Sequence, residues 1–354
     1  MNTEFTEMIE KIQMPDEKAM EAAKNHWNGI CKPLNSLGKL EEMVICLAGI
    51  QGKEEVQITK RCAIVVCADN GVVAEGVTQS DMSVSTSVAL EIAEGKSNIN
   101  VMAKAAGADT IGVDVGLCFD VTHEKLLNKK IAHGTKNMSK EPAMTKEQAI
   151  QGVMTGIELV KMLKEQGYQI IVTGEMGIGN TTTSSAVASV LLDRPAEEMT
   201  GRGAGLTTEG LTKKIQVIKD SIRLHQPDKT DPIDVLSKVG GFDIAAMTGI
   251  FLGGALYHVP VVIDGLISSV SALLAQRLNP LCKYYMLASH VSKEPAGKFV
   301  MEELGLFPLI YADMRLGEGT GGVCLLPLLD IALCEYHKAH RFAETDVEQY
   351  EKLE

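Results

Sequence analysis

Aromatic side chains are scarce in this chain of 354 residues, at 4% of the total, and negative charges outnumber positive ones. The 34 lysines and arginines against 46 aspartates and glutamates leave a formal net charge of −12. Such an acidic surface argues against non-specific binding of nucleic acid or of an anionic membrane, although a local basic pocket for a phosphorylated metabolite is compatible with it. A hydrophobic content of 45% excludes a disordered or collagen-like chain.

Long hydrophobic runs and paired-cysteine motifs are also missing. The most apolar stretch, residues 249–263, is too short to span a bilayer and contains His258 and Pro260. Residues 1–18 are polar and acidic, so we expect no secretory signal and a cytoplasmic protein without a membrane partner. No two of the eight cysteines have Cys-x-x-Cys spacing, which predicts reduced core thiols and no metal site.

Six short β-rich runs alternate with longer helical patterns along the chain. The runs are almost continuously apolar, which is typical of parallel strands covered on both faces. They occupy residues 62–68, 110–115, 169–173, 259–263, 284–289 and 309–313. Helical patterns rich in small residues lie between them, as at residues 181–192 and 267–277. The sequence therefore predicts an α/β fold with a doubly wound, mostly parallel sheet of about six strands.

The two ends of the chain lack strand patterning. Residues 3–51 are predicted to form helices broken by Pro15 and Pro33, and residues 325–354 to form one long helix with an acidic tail. The pattern predicts a small helical subdomain made from both termini, residues 1–55 and 330–354. Residues 56–329 are then expected to form a large α/β catalytic domain.

Each predicted strand is followed by a polar or glycine-rich cluster, and ligands of open α/β sheets bind beyond these carboxyl ends. The clusters begin at Asp69, Asp114, Gly174, Asp264, Ser289 and Arg315. Turns alone explain some of the glycines and aspartates, because both are common turn residues. Two long glycine loops that each carry a glutamate, Glu175 or Glu318, instead indicate a shared active site.

The loop after the third predicted strand, GEMGIGN at 174–180, favours phosphate binding. Gly177 and Gly179 allow close backbone approach to a ligand. Asn180 or Thr181 can cap the following helix, whose N-terminal N–H groups can hold an anion. The loop is neither a Walker A motif nor Gly-x-Gly-x-x-Gly, and the alternative interpretation is an ordinary strand-to-helix turn.

A second candidate anion nest lies at residues 201–205, with the sequence GRGAG. Lys213 and Lys214 follow shortly after it, and one of them could reach a phosphate. The alternative for this pair is a solvated helix face, which is the usual environment of neighbouring lysines.

Glu318 stands among four glycines directly after a predicted strand. A carboxylate in such a loop can be partly shielded from water, which suits a general base; the alternative is a surface glutamate in a flexible loop. With Glu175 it could divide the work, one carboxylate removing a proton while the other stabilises positive charge on a sugar ring. His290 also follows a strand and could either bind substrate or serve only the structure.

Seven motifs in order along the chain carry a family resemblance. They are DNG at 69–71 with EGV at 75–77, GEMGIGNTTTSSAV at 174–187, GRGAGL at 201–206, GGFDIAAMTG at 240–249, DGLISSVSA at 264–272, SHVSKEPAG at 289–297 and LGEGTGG at 316–322. With them the sequence resembles the nicotinate-nucleotide–dimethylbenzimidazole phosphoribosyltransferases, the CobT family of cobalamin lower-ligand synthesis. The resemblance covers essentially the whole chain, and GEMGIGNTTT together with LGEGTGG is highly specific.

The resemblance implies transfer of phosphoribose from nicotinate mononucleotide to a benzimidazole, giving α-ribazole 5′-phosphate and nicotinate. It implies a homodimer with a Rossmann-like sheet and a helical domain from both termini, with Glu318 as the catalytic base. The implied nucleotide and phosphate site comprises Glu175, Gly177, Ile178, Gly179, Asn180, Thr181, Gly203, Lys214, Asp264, Gly265 and Ser292. No cofactor or metal is expected, because nicotinate mononucleotide has no pyrophosphate to neutralise.

One segment departs from the family pattern, at the site of the acceptor base. After residues 75–77 many relatives carry Pro and then Gln, whereas small hydroxyl residues stand here near position 87. The expected acceptor site comprises Ser80, Asp81, Met82, Ser87 and Leu316. The base stays open between benzimidazole, its methylated forms, adenine-type bases and phenols. A nucleoside phosphorylase or nucleotide hydrolase, and a catalytically idle nucleotide-binding regulator, are the competing functions.

Overall fold

Six parallel strands form a single sheet in the computed structural model, which describes residues 3–350. They are β1 (Arg61–Ala68), β2 (Asp109–Gly116), β3 (Leu126–Asn128), β4 (Ile170–Met176), β5 (Val261–Ile263) and β6 (Met286–Ala288). Their order is β3-β2-β1-β4-β5-β6, and every neighbouring pair is parallel. The order reverses between β1 and β4, as in doubly wound sheets, so the predicted fold class is confirmed.

One predicted strand is absent, and one observed strand is not predicted. Residues 309–313 form no strand: Ile310 makes only an isolated bridge with His290, and the neighbouring Tyr311 is exposed. This segment instead crosses the loop after β6, where the Ile310 carbonyl accepts the N–H of Val291. The edge strand β3 escapes prediction because its three residues are too few to form a recognisable apolar run.

Fifteen helices surround the sheet within the described part of the chain. They are α1 (Thr3–Ile9), α2 (Glu17–Gly29), α3 (Lys39–Gln51), α4 (Ser83–Glu94), α5 (Asn98–Ala105), α6 (Lys146–Glu165), α7 (Asn180–Leu191), α8 (Ala196–Met199), α9 (Thr208–His225), α10 (Pro232–Val239), α11 (Phe242–Tyr257), α12 (Leu266–Leu278), α13 (Pro295–Leu304), α14 (Thr320–Val323) and α15 (Leu325–Lys338). Short 3₁₀ turns occupy Gly71–Glu75, Pro280–Tyr285 and Phe342–Glu344. The helices expected at 181–192 and 267–277 are confirmed as α7 and α12.

Alternate residues of β1 pack against two separate helical layers. Ile64 and Val66 belong to a core cluster that includes residues of α6, α11 and α12. Ala63 and Val65 belong to a second cluster with residues of α3, α4 and α15. Because helices cover both faces of the sheet, its strands are nearly continuous apolar runs, and most of their polar groups lie near or beyond the carboxyl ends.

The helices of the two termini agree only partly with the sequence pattern. The N-terminal helices are interrupted around Pro15 and Pro33, as expected. The prediction of one long helix over residues 325–354 is wrong, since α15 covers only its first part. Ala339 is extended, and the chain turns back so that Arg341 bridges Ile30. Residues 351–354 of the expected acidic tail lie outside the described residues.

Helices from both ends of the chain pack together beside the sheet. The Trp27 ring of α2 lies edge-on to the Tyr336 ring of α15, with centroids 5.0 Å apart. Arg61 of β1 donates two hydrogen bonds to the Asp330 carboxylate of α15, at 3.0 and 2.9 Å. The proposed boundary between residues 1–55 plus 330–354 and residues 56–329 stays a prediction.

The most apolar stretch and three of the cysteines lie in the core. Residues 249–263 form the second half of α11 and the strand β5. In the described residues, 3–350, no helix has both the length and the apolar character needed to cross a membrane. All eight cysteines are free thiols, and Cys62, Cys67 and Cys282 are buried.

Candidate active site

A cavity of about 250 Å³ lies at the carboxyl edge of the sheet, beyond β4, β5 and β6. This is the edge at which doubly wound sheets bind ligands, next to the reversal of strand order. Most of the residues expected in the site lie on its wall: Glu175, Gly177, Ile178, Asn180, Thr181, Gly203, Asp264, Gly265, Ser292, Leu316 and Glu318. The structure therefore brings together residues that are up to 143 positions apart along the chain, from Glu175 to Glu318.

A smaller cavity of about 80 Å³ adjoins the first. The two share the wall formed by Gly177, Ile178, Asn180, Thr181 and Gly203. Three further expected site residues line only the smaller cavity: Ser80, Gly179 and Lys214. Together the two cavities form one site with a narrow end and a wide end.

Glu318 is buried in a strained turn on the wall of the larger cavity. Gly317, Glu318 and Gly319 have φ angles of 86°, 61° and 90°, a region that residues with a side chain seldom adopt. Only 7% of Glu318 is exposed. Its Oε2 accepts the N–H of Ile99 at 3.3 Å, and the amide nitrogen of Asn98 lies 3.5 Å from its Oε1. This burial excludes the alternative of a glutamate in a flexible surface loop.

Asp264 supports the same loop from the end of β5. Its carboxylate accepts two backbone N–H groups, that of Gly319 at 3.1 Å and that of Gly322 at 2.8 Å. Asp264 is 1% exposed, so both of its oxygens are committed to the loop. The sequence suggested a contact with nucleotide and gave no sign of this bond, because residues 264 and 319 are distant along the chain.

Glu175 ends β4 among other buried carboxyl groups. Burial raises the pKa of the Glu175 carboxyl well above its usual value, and the neighbouring Asp264, Asp243 and Glu318 carboxylates raise it further. Gly317 packs closely here, since a Cβ on it would lie 2.7 Å from Oε1 of Glu175. Glu175 is therefore a carboxylic acid that stays protonated at higher pH than an exposed glutamate, and it can donate a hydrogen bond.

The narrow cavity combines a helix N-terminus with a buried cation. Gly179, with a φ of 92°, stands at the N-cap of α7, whose first N–H groups carry the positive end of the helix dipole. Lys214 is 1% exposed, and its Nζ donates to Thr181 Oγ1 at 2.7 Å and to the Gly201 carbonyl at 3.3 Å. Burial lowers the pKa of Lys214 to about 8, and the nearby Glu294 opposes this shift. Lys213 is exposed, so Lys214 is the lysine of the cavity.

Glu294 is a buried carboxylate on the cavity wall that the sequence reasoning missed. Its Oε1 accepts the N–H of Gly203 at 3.1 Å, and its Oε2 packs against Gly201. Arg202 braces the same loop by donating to the Leu206 carbonyl at 2.7 Å. The glutamate belongs to the motif at 289–297, but only the fold reveals that this motif meets the GRGAG loop.

Gly177 has a structural reason to lack a side chain. A Cβ on Gly177 would overlap the carbonyl oxygen of Ala68 and would lie 3.2 Å from Oδ2 of Asp243. The absence of a side chain at Gly177 therefore allows the glycine loop to pack closely against β1.

Burial raises the pKa of Asp243, which lies beside Gly177, to about 7.

Three residues of the expected acceptor site lie on the wall of neither cavity: Asp81, Met82 and Ser87. Asp81 accepts the N–H of Ser83 at 2.8 Å, and Ser87 bonds to the Ser83 carbonyl. Met82 Sδ lies 3.3 Å from Cys118 Sγ. Their assignment to the acceptor site stays a prediction. Val88, one position further along α4, does line the wide cavity.

Two further polar residues complete the wide cavity. His290 is buried, with Nδ1 3.1 Å from Ser289 Oγ, and its ring packs directly beneath Gly321. Arg315 lines the wall beside Leu316 and is exposed. The packing of His290 suits a structural role, whereas Arg315 offers an accessible positive charge.

Known proteins resemble the chain along its whole length. A sequence model of a phosphoribosyltransferase family matches residues 12–347. A nicotinate-nucleotide–dimethylbenzimidazole phosphoribosyltransferase of Clostridium acetobutylicum is 47% identical over 346 residues, covering 98% of each chain. The enzyme of the same name from Ruminiclostridium cellulolyticum is 47% identical over 350 residues, covering 99% of each.

The fold has a solved counterpart as well. The crystal structure of CobT from Thermus thermophilus superposes with a TM-score of 0.89 at 36% identity, covering 94% of this chain and 100% of that one. A second structure from the same organism superposes with a TM-score of 0.86 at 35% identity, covering 93% and 98%. The chain belongs to the nicotinate-nucleotide–dimethylbenzimidazole phosphoribosyltransferase family.

Proposed function

We propose that this enzyme moves 5-phosphoribose from nicotinate mononucleotide to 5,6-dimethylbenzimidazole or a related base. The products are nicotinate and α-ribazole 5′-phosphate, the precursor of the nucleotide loop of cobalamin. One observation carries the proposal: the buried carboxyl groups of Glu318 and Glu175 line a cavity that continues into the pocket of Lys214. A phosphorylated ribose can then span the two, with its phosphate in the narrow end and its reacting carbon beside the carboxyl groups.

The phosphate is placed in the narrow cavity. The N-terminus of α7 supplies the positive end of the helix dipole there, and Lys214 supplies the full positive charge. Gly203 leaves room beside these groups, because a Cβ on it would lie 2.9 Å from Thr181 Oγ1 and 3.5 Å from Lys214 Nζ. Because burial holds the pKa of Lys214 at about 8, a dianionic phosphate beside it favours the protonated amine.

The nucleotide is placed in the wide cavity, with its ribose next to Glu175. A protonated Glu175 acts as a hydrogen-bond donor to the sugar, and this differs from the charge-stabilising role that the sequence suggested. Arg315 on the same wall offers a partner for the carboxylate of nicotinate. The remaining expected residues of the nucleotide site that line this cavity include Gly265 and Ser292.

The transfer itself is a single displacement at the anomeric carbon. The unprotonated ring nitrogen of the base attacks this carbon from the face opposite to nicotinate, so the β-nucleotide gives an α-linkage. The bond to nicotinate breaks, and its electron pair neutralises the pyridinium nitrogen. The proton on the other nitrogen of the base passes to Glu318. General-base catalysis of this kind typically raises the rate about 10²–10⁴-fold. The reaction as written balances without a cofactor.

The test is incubation with nicotinate mononucleotide, with and without dimethylbenzimidazole, followed by product identification by mass. The expected result is α-ribazole 5′-phosphate, formed only when the base is present. Release of nicotinate without an acceptor base would instead identify a nucleotide hydrolase. Release of nicotinate that depends on added phosphate would identify a phosphorylase. Tight nucleotide binding without turnover would assign a regulator.

The assembly and cell compartment are proposed on separate grounds. A homodimer is supported by two large exposed apolar side chains, Phe307 and Tyr311. A cytoplasmic location is supported by the eight free cysteines, which suit a reducing compartment. Light scattering on purified protein tests the first proposal, and fractionation of producing cells tests the second. Its partners are then its small-molecule substrates and a second copy of the chain, without nucleic acid or membrane.

A further inference from the structure

The backbone around Glu318 needs support from outside its own loop. Gly317, Glu318 and Gly319 all lie in the left-handed region, which a residue with a side chain keeps only where its surroundings impose it. On one side Gly174 of β4 packs so closely that a Cβ there would overlap the carbonyl oxygen of Glu318. This contact limits movement toward the sheet, and directional bonds have to fix the remaining freedom.

Asp264 supplies such bonds. Its Oδ2 accepts the N–H of Gly319 at 3.1 Å, and its Oδ1 accepts the N–H of Gly322 at 2.8 Å. Its own N–H donates to Ser268 Oγ at 3.1 Å, which fixes the residue at the start of α12. One side chain after β5 thereby ties down both ends of the segment that follows Glu318.

We propose that Asp264 is a positioning residue of the transfer reaction, holding the Glu318 carboxylate where the N–H of the acceptor base arrives. The inference rests on the proposed function and adds a residue to it. Because both Asp264 oxygens accept N–H groups of the loop and the residue is 1% exposed, its inferred role is to act through Glu318.

Asp264→Asn is the informative substitution. The amide has the same shape, but its one oxygen can accept the N–H of only one of Gly319 and Gly322, while its NH₂ group faces the other N–H. One end of the loop is therefore released while the volume of the core is kept. We expect kcat to fall about 10-fold or more, with KM for nicotinate mononucleotide within about threefold of wild type.

Asp114→Asn is the matched control. Asp114 lies near the carboxyl end of β2 and is 1% exposed, and its Oδ1 accepts the N–H groups of Gly116 at 3.0 Å and Leu117 at 2.9 Å. The same substitution thus changes a buried loop-bracing carboxylate outside the loop of Glu318. An asparagine there can still accept both N–H groups, but it loses the ion pair between Asp114 Oδ2 and Lys130 Nζ at 3.4 Å. We expect its melting temperature to fall while kcat stays within about twofold of wild type.

A double-mutant cycle with Glu318→Gln decides whether Asp264 acts through Glu318. If it does, the double variant is about as slow as Glu318→Gln alone, because the position of a side chain that cannot take the proton no longer matters. The inference would be overturned if the losses in kcat of the two single variants multiplied in the double variant. It would also be overturned if kcat for Asp264→Asn were no lower than that of the control, or if the Asp264→Asn protein did not fold. If the wild type formed no α-ribazole 5′-phosphate, or if Glu318→Gln were fully active, the proposed function would be overturned. This inference, which rests on that function, would then be overturned as well.

Discussion

The Nζ of Lys214 lies 2.7 Å from the Oγ1 of Thr181, and this hydrogen bond fixes a buried cation at the first turn of α7. The lysine comes from α9, and the hydroxyl comes from the first turn of the helix that follows β4 and its glycine loop. Two helices therefore meet at the narrow cavity, one presenting its N-terminus and the other a side chain. A phosphate held at this meeting point would contact both, so each helix can be tested by a substitution of its own.

Replacing Lys214 with methionine is expected to weaken the binding of nicotinate mononucleotide about 10-fold or more. Methionine fills similar space but removes the charged hydrogen-bond donor of the phosphate site. Calorimetric titration measures the dissociation constant. The matched control is Lys213→Met, because Lys213 is the exposed neighbour on the same helix, and its affinity is expected to stay within about twofold. Equal losses in both variants would move the phosphate elsewhere.

Nucleotide affinity is also expected to fall as pH rises through about 8. Burial lowers the pKa of Lys214 to about 8, so the amine is mostly charged below that pH and mostly neutral above it. The substrate phosphate is already dianionic throughout this range, since its second pKa is about 6. Titrations between about pH 7 and 9 should show weaker binding at the alkaline end. The Lys214→Met protein should lack this dependence, and a wild-type affinity that stays flat would contradict the assignment.

Glu318→Gln is expected to keep the fold and to lose about 10²-fold in kcat. Glutamine preserves the size of the side chain, and its oxygen can still accept the N–H of Ile99. Only the capacity to take a proton is removed. Steady-state rates and a thermal melt measure the two properties separately. A rate near that of wild type at neutral pH would refute Glu318 as the base.

Glu175→Gln is expected to keep most of the activity at neutral pH. The pKa of Glu175 is raised well above its usual value, chiefly by burial and then by Asp264, which favours the protonated form, a donor that an amide can imitate. As pH rises through that elevated pKa, the wild type should lose activity and the variant should not. A pH profile of kcat/KM distinguishes this from a charged role, in which the variant would be inactive at every pH.

The same substitution has a consequence for stability. A carboxyl group whose pKa is higher in the folded than in the unfolded state binds more protons when folded, so it makes the protein less stable as pH rises through this range. Glu175→Gln removes that penalty. Its melting temperature should therefore exceed that of the wild type at alkaline pH, and the gap should close on acidification.

Much of the fold and the location of the site could be predicted from the sequence. The continuous apolar runs of β1 and β4 follow from burial on both faces, and the glycine loop after β4 marks the carboxyl edge where Glu175 and Glu318 meet. The three residues of β3 carried no such signal. The end of α15 is likewise set by a distant contact, the bridge between Ile30 and Arg341.

The second layer of the site could not be predicted for a related reason. Asp264 and Glu294 stand in motifs that look like ligand-binding turns, yet the carboxylate of each binds a glycine loop from another part of the chain. Long-range pairing of this kind is visible only once the chain is folded.

The acceptor base is expected to lie against Leu316. This side chain is 56% exposed and stands on the wall of the wide cavity, so a flat aromatic base placed there would cover it. Met82, in contrast, lines neither cavity, and its Sδ lies 3.3 Å from Cys118 Sγ. We therefore expect Leu316→Ala to change the ratio of products when several bases compete, and Met82→Ala, the control, to leave it unchanged.

The same competition measures how selective the wild type is. One methyl group in a hydrophobic site discriminates by only about 1–3 kcal/mol, and a cavity of about 250 Å³ leaves room for more than one outline. Several benzimidazoles should be accepted, with dimethylbenzimidazole preferred by modest factors in kcat/KM. If Met82→Ala changed the ratio of products and Leu316→Ala did not, the acceptor base would be assigned to the segment at residues 80–87. Exclusive use of one base by the wild type would refute the broad acceptance, because the loss of one methyl contact in a hydrophobic site is worth only about 1–3 kcal/mol.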